Sequence, residues 1–212
     1  MEAIAVIHSP FGEKFGTPRQ SGLVDVLSEV RLEKKFRNPD SLRGLEGFDY
    51  IWLIWGFSLN RDTEGFRATV RPPRLGGNDR LGVFATRSPY RPNPLGLSSV
   101  KIDHIDVDRC SIYVRGADLV DGTPIYDIKP YITYTDSHPD ARSGFVDDSQ
   151  WHHLTVKNPE GLSPELIKAL EQDPRPHYQS DPDRVYGLLF NGENIRFRVI
   201  GDSILVSEDF LK

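Results

Sequence analysis

The sequence predicts a mainly β architecture, an antiparallel barrel or sandwich followed by a small α+β unit. Three observations carry this expectation. Six or more strand-like segments fall within about the first 130 residues, the loops between them are too short for helical crossovers, and no long helical pattern intervenes.

The elements follow in order. Ala3 to Ile7 alternates weakly and reads as a first strand, closed by Ser9-Pro10 and Gly12. In the next extended segment Val26, Ser28, Val30 and Leu32 fall on one face and Leu27, Glu29, Arg31 and Glu33 on the other, the period-two pattern of a strand. Pro39-Asp40-Ser41 can start a helical turn through Leu42 and Leu45, limited by Gly44 and Gly47. Tyr50 to Phe57, aromatic and β-branched, reads as a strand buried on both faces. Leu81 to Thr86, Ser99 to Val107, Ser111 to Arg115 and Pro124 to Tyr131 are further strands, punctuated by Gly, Pro and Asp. From Ser137 to Trp151 the chain turns polar, so the boundary is expected there, with one domain over 1–140 and a second over 141–212. Ser163 as N-cap with Pro164 and Glu165 behind it opens a helix ending near Gln172. Val185 to Phe190, Ile195 to Ile200 and Ile204 to Val206 complete a meander turned by Asn191-Gly192 and Gly201-Asp202.

Composition narrows the function. A chain of 212 residues with 38 % hydrophobic and 27 % charged residues is an ordinary globular protein. Its first residues lack the basic region of a signal peptide, and no apolar run approaches the roughly 20 residues that cross a bilayer, so a soluble, cytoplasmic protein without membrane contact is expected. The single cysteine, Cys110, reads as a packed thiol. His152-His153 are adjacent rather than spaced as ligands, and no metal is expected. Net charge is −5, yet 67–91 holds six arginines against Asp79 alone, while 136–183 is acidic. The basic stretch suits a phosphate track.

No GxGxxG, GxxxxGK, HExxH or paired CxxC motif is present. Instead, Thr86-Arg87-Ser88-Pro89-Tyr90-Arg91-Pro92-Asn93-Pro94-Leu95-Gly96-Leu97-Ser98 reads as a proline-braced loop. It can hold Arg87, Arg91 and Asn93 ready for a carboxylate or phosphate, or it is a structural loop with solvated arginines. In Asp121 to Tyr131, strand alternation places Asp127, Lys129 and Tyr131 on one face together with Ile125, a trio suited to proton transfer and stacking or merely an exposed ion pair. Arginine held by proline and glycine recurs in Thr17-Pro18-Arg19-Gln20-Ser21-Gly22-Leu23 and in Arg71-Pro72-Pro73-Arg74-Leu75-Gly76-Gly77. Near the C-terminus Arg175 and Tyr178 combine a cation with an aromatic ring, as nucleic-acid surfaces do, although a helix-ending loop explains them as well.

Taken in order, PRQSGL, RGLEGFDYIWLI, TVRPPRLGG, GVFATRSPYRPNPLGLS, LVDGTPIYDIKPY and DPRPHY resemble the TrmO (TsaA-like) family of tRNA methyltransferases over nearly the whole chain. The resemblance implies a single-sheeted β-barrel that binds S-adenosylmethionine, a smaller C-terminal domain that contacts tRNA, and a homodimer. It implies methylation of the exocyclic nitrogen of threonylcarbamoyladenosine at tRNA position 37, with tRNA-Thr as the expected species. Carried over by motif, the cofactor contacts are Ser21, Gly22, Leu23, Ser58, Leu59, Arg91, Leu97, Thr123, Pro124, Ile125 and Tyr126. Ser58 and Leu59 stand where relatives often carry larger polar residues, so their contact is expected through backbone. Arg71, Arg74, Arg87, Asn93, Arg175 and Tyr178 are the expected RNA contacts, and Asp127, assisted by Lys129 and Tyr131, is expected to accept the proton or to orient the nucleotide. A non-catalytic barrel that binds RNA or an adenosyl metabolite is the alternative.

Overall fold

In the computed structural model, residues 1–60, 66–72, 79–147, 153–157, 160–175 and 179–207 are described. Six strands close a barrel: β1 (Ala5–His8), β2 (Leu27–Leu32), β3 (Tyr50–Gly56), β6 (Leu95–Asp106), β7 (Ser111–Arg115) and β8 (Pro124–Pro130). Their order around the barrel is β1-β2-β7-β6-β3-β8, every pairing antiparallel. Between β3 and β6 lie a two-residue pair, β4 (Thr69–Val70) with β5 (Leu81–Gly82), and a 3₁₀ turn over Val83–Ala85. The short α1 (Thr133–Asp136) follows the barrel. The C-terminal part holds β9 (Thr155–Lys157), α2 (Pro164–Glu171), β10 (Tyr186–Phe190), β11 (Glu193–Ile200) and β12 (Ser203–Val206), in a sheet ordered β10-β11-β12-β9.

Period-two patterning positions the barrel core. Val26, Ser28, Val30 and Leu32 are all buried, and Ile7, Ile51, Leu53, Ile112 and Ile125 join Val30 and Leu32 inside the barrel. A one-residue slip would turn each of these faces to water, which fixes register. With only six strands the interior is filled by side chains, so a ligand must bind outside it. Two bulges, between Ile102 and His104 on β6 and at Tyr126 on β8, bend long strands around this small barrel.

Several expectations need correction. Tyr50 to Phe57 is not buried on both faces: Ile51, Leu53 and Trp55 are buried, while Trp52 and Ile54 are half-buried. Leu81 to Thr86 is a strand only at Leu81–Gly82, because the backbone winds into the 3₁₀ turn from Val83. β6 begins at Leu95, so the last four residues of the proline-rich segment are strand, paired to β3. The C-terminal meander gains β9, which pairs in parallel with β12. The bulge at Tyr126 also removes Ile125 from the face of Asp127: Ile125 is buried in the core, and Ile128 packs against that core from the far side of the bulge. The helix is as expected, with Ser163 Oγ accepting from the Leu166 N–H at 3.2 Å.

A second core gathers Leu166, Leu170, Leu188, Phe197 and Ile204 with Phe11, Val24 and Val26. The segment between β1 and β2 therefore crosses to the C-terminal sheet, where Gly12 N–H donates to Leu189 O at 3.3 Å and Asn191 N–H to Pro10 O at 2.8 Å. No helix of the described residues is long and apolar enough to cross a membrane.

Candidate active site

One cleft of about 2010 Å³ runs along the barrel wall, bordered by the 9–24 segment, β3, the β4–β5 pair, the proline-rich loop and the start of β6. Its floor is made by the β3–β6 pairing. Trp55 stands opposite Gly96 and Gly56 opposite Leu95. The Trp55 ring lies directly over Gly96, and a Cβ at Gly56 would sit 2.7 Å from the Tyr126 hydroxyl, so both glycines admit an aromatic ring against the backbone. Trp55 and Phe57 meet edge to face, centroids 4.4 Å apart.

The proline-rich loop is braced from within. Thr86 Oγ1 donates to Val83 O at 2.9 Å, and Ser88 N–H and Tyr90 N–H donate to Thr86 Oγ1 and Ser88 Oγ at 3.3 and 3.2 Å. Arg91 Nη1 donates to Thr86 O and Ser88 O at 3.0 and 3.4 Å, so this guanidinium first serves the loop's own carbonyls. Arg87 reaches across to Gln20 Oε1, and the Arg67 guanidinium lies 6.0 Å from the Tyr90 ring. Phe66 stacks on the cleft residue Phe84 at 6.3 Å, and the two rings remain 64 and 72 % exposed.

The opposite wall comes from a close crossing. Gly22 N–H donates to Gly116 O at 2.8 Å, and a Cβ on Gly116 would lie 3.2 Å from Gly22, with φ near +80° at both. The positive φ favours glycine at both positions, and at Gly116 the contact is also tight for any side chain. It brings Ser21 beside Asp118. The Asp118 carboxyl accepts from Ser98 Oγ at 2.5 Å, and Ser98 Oγ in turn accepts from Trp55 Nε1 at 2.9 Å. Burial pushes the Asp118 carboxyl up to about 6, against the lowering pull of the Ser98 hydroxyl, the N–H groups of Asp118 and Ser21, and the Arg87 guanidinium. Among the described lining residues Lys14, Arg19, Arg67, Arg71, Arg80, Arg87 and Arg91 are cationic, and Asp118 is the single carboxylate. Among the described residues the cleft is an anion-attracting trough with one acid in its wall.

The expected site residues divide accordingly. Ser21, Ser58, Leu59, Arg71, Arg87, Arg91, Asn93, Leu97 and Thr123 line the cleft together. Gly22 supports Ser21 from behind, Pro124 opens β8 opposite Val6, Ile125 is core, and Tyr126 packs on the cleft residue Gly56. Leu23 turns instead to an adjoining 120 Å³ cavity, which shares Lys14 and Arg19 with the cleft and includes Asp173. Asp127 and Lys129 pair at 3.0 Å on an exposed face, and Tyr131 packs against Trp52 with centroids 5.6 Å apart; none of the three lines the cleft. Arg175 is not open to RNA either: its side chain is 13 % exposed and doubly hydrogen-bonded to Asp173, itself 8 % exposed, at 2.9 and 3.0 Å. Arg74, Tyr178 and His152 lie outside the described residues. Among the described residues no three His, Cys, Asp or Glu side chains gather as a metal site.

Asp118 and Trp55 were not singled out from sequence. A lone Asp between Ala117 and Leu119 matches no spacing motif; its apolar neighbours were the only signal that it is drawn inward.

Comparison with known proteins agrees with this architecture. Residues 6–137 match the tRNA-methyltransferase O N-terminal domain and residues 148–208 the TrmO C-terminal domain. The chain is 38 % identical to an Escherichia coli K12 protein named tRNA (adenine(37)-N6)-methyltransferase, over 93 % of this chain and 92 % of that one. It is 40 % identical to a Pseudomonas aeruginosa protein named as a putative S-adenosylmethionine-dependent methyltransferase, over 87 and 86 % of the two chains. The crystal structure of TrmO from Pseudomonas aeruginosa superposes with a TM-score of 0.76 at 32 % identity, covering 97 % of this chain and 95 % of that one. With both halves matched in order and the barrel reproduced, the chain belongs to the TrmO family of S-adenosylmethionine-dependent tRNA methyltransferases.

Proposed function

We propose that the protein methylates the exocyclic N6 of adenosine 37 in tRNA, and that its acceptor is the threonylcarbamoyl form of that base, with tRNA-Thr as the species. The observation that carries the reading is a single cationic, aromatic-edged cleft to which nine of the expected cofactor and RNA contacts contribute. A small-ligand site commonly occupies about 300 to 1,000 Å³. At about 2010 Å³, this cleft has room for S-adenosylmethionine beside an extruded nucleotide.

The residues present fit the cofactor. Trp55, Phe57, Leu59 and Leu97 offer aromatic and apolar surface, while Ser21, Ser58 and Thr123 border it with polar groups. The cofactor supplies an electrophilic methyl group bound to a sulfonium. Positioning dominates such a displacement, because the acceptor nitrogen must meet the methyl carbon in line. The loop braced by Arg91 and the Gly22–Gly116 crossing provide rigid walls for that alignment. Arg71, Arg80 and Arg87 attract the phosphates that set RNA register, and the Phe66–Phe84 pair offers a stacking surface for an unstacked base. The cationic cleft also suits the threonine carboxylate of the modified adenosine. Residues 1–140 serve catalysis in this reading, 141–212 extend the tRNA contact, and the protein acts in the cytoplasm as a homodimer.

The test is incubation with radiolabelled S-adenosylmethionine and tRNA prepared with and without the threonylcarbamoyl group, followed by digestion to nucleosides. Label confined to N6-methylated threonylcarbamoyladenosine is expected. Equal labelling of unmodified tRNA would overturn the substrate assignment.

A further inference from the structure

Resting on the function proposed above, we infer that Asp118 takes the N6 proton during methyl transfer, and that Ser98 and Trp55 hold it in place for that task.

The acceptor nitrogen lies between an aromatic ring and a carbonyl, so its lone pair is delocalised and loss of its proton assists attack. The step balances simply. N6 forms its bond to the methyl carbon, the methyl–sulfur bond breaks with its electron pair remaining on sulfur, and the N6 proton moves to the Asp118 carboxylate. Sulfur goes from cation to neutral thioether, and Asp118 from anion to neutral acid.

Four observations support this assignment. Asp118 is the single carboxylate among the described residues lining a cleft with seven cationic side chains. A negative group there opposes phosphate binding, so its presence points to a use other than RNA affinity. Its position is held by a directed chain: Trp55 Nε1 donates to Ser98 Oγ, and Ser98 Oγ donates to Asp118 Oδ1, with Trp55 itself part of the cleft wall. The residue is half-buried, still open to the cleft yet withdrawn from bulk water. The groups facing it from each neighbouring element are Ser98 of β6, the Ser21 N–H of the 9–24 segment and the Arg87 guanidinium of the proline-rich loop, all of which favour the anion, while burial opposes it more strongly. At neutral pH the carboxyl is therefore ionised but a stronger base than a solvated aspartate, the poise a general base requires. Asp127, expected from sequence, lacks these properties: it is 44 % exposed, paired with Lys129 and outside the cleft lining.

The experiment compares the intact wild-type protein with Asp118→Asn, Asp118→Glu and Ser98→Ala. Cofactor affinity is read by calorimetry, and single-turnover methylation of threonylcarbamoyl-bearing tRNA is followed from about pH 5 to about pH 8.5. Asp118→Asn should bind S-adenosylmethionine within about threefold of wild type while its rate falls at least about 100-fold, the usual scale for a positioned base. Wild type should show an acidic limb near pH 6, Asp118→Asn should lose it, and Asp118→Glu should restore part of the rate together with a limb. Ser98→Ala removes a donor that favours the anion, so its limb should move to higher pH. Asp118→Asn turning over within about tenfold of wild type would overturn the proposal. So would a loss of cofactor affinity matching the loss of rate, which would make Asp118 a cofactor ligand. A wild-type protein that methylates no tRNA would overturn the functional reading itself.

Discussion

Replacing Asp118 by Asn should stabilise the fold at neutral pH while disabling the site, and the size of the gain follows from the structure. In the unfolded chain the carboxyl titrates near 3.8, and in the folded protein burial pushes it up to about 6. A group whose affinity for protons rises on folding contributes stability below its unfolded value, and that contribution is lost as pH rises through its folded value. The gap corresponds to about 3 kcal/mol at 1.4 kcal/mol per tenfold, and partial access to the cleft reduces this toward about 2 kcal/mol. Asn keeps the shape and can still accept from Ser98 Oγ through Oδ1 without carrying a charge, while its Nδ2 loses the capacity to accept from a backbone N–H. Urea titrations of both proteins at several pH values between about 3.5 and about 8 give the difference directly. It should be near zero at the acid end, grow between about pH 4 and about pH 6, and level off above pH 7 with the variant more stable by about 2 kcal/mol. A difference that does not vary with pH, or a variant less stable at every pH, would refute the argument that Asp118 is held against its own desolvation. The expected pairing of higher stability with lost turnover is the trade found where an active site keeps a group in an unfavourable setting.

Two further outcomes follow from the cleft. Arg71→Ala combined with Arg80→Ala should weaken tRNA binding and reduce the magnitude of its log-log salt slope by about 1 to 2, leaving calorimetric S-adenosylmethionine affinity unchanged, because each exposed arginine neutralises about one phosphate. Gly96→Ala places a methyl group against the Trp55 ring, and overpacking of that kind costs about 1 to 3 kcal/mol. Urea midpoints should fall accordingly, and cofactor affinity should fall with them as Trp55 and its bond to Ser98 are displaced.

The barrel was legible because its signal is local and repeated. Alternation in Val26, Ser28, Val30 and Leu32 names both a strand and its buried face, and Ser163-Pro164 names a helix start, with no knowledge of partners. Parts that depend on distant chain were not readable in this way. β9 is three residues long and exists because β12 offers it a parallel edge. The bulge at Tyr126 shifts the face of Ile125 while leaving the sequence alternation undisturbed. Arg175 carries the composition of an RNA contact, yet Asp173 two residues earlier captures it in a buried ion pair, and motif content alone does not distinguish the two fates. Asp118 owes its character to Ser98, twenty residues away in sequence, and to the Gly22–Gly116 contact that carries Ser21 to it. Nothing within its own neighbourhood in the chain announces any of these partners.

The stretch from Ser9 to Val24 belongs to both halves at once. Phe11 and Val24 are pinned in the C-terminal core, and between them Gln20 and Ser21 form part of the cleft wall. The stretch thus acts as a tie rod. A substitution that loosens the packing of Phe11 or Val24 in the C-terminal core would therefore disturb Gln20 and Ser21 beside Asp118, although it lies outside the cleft.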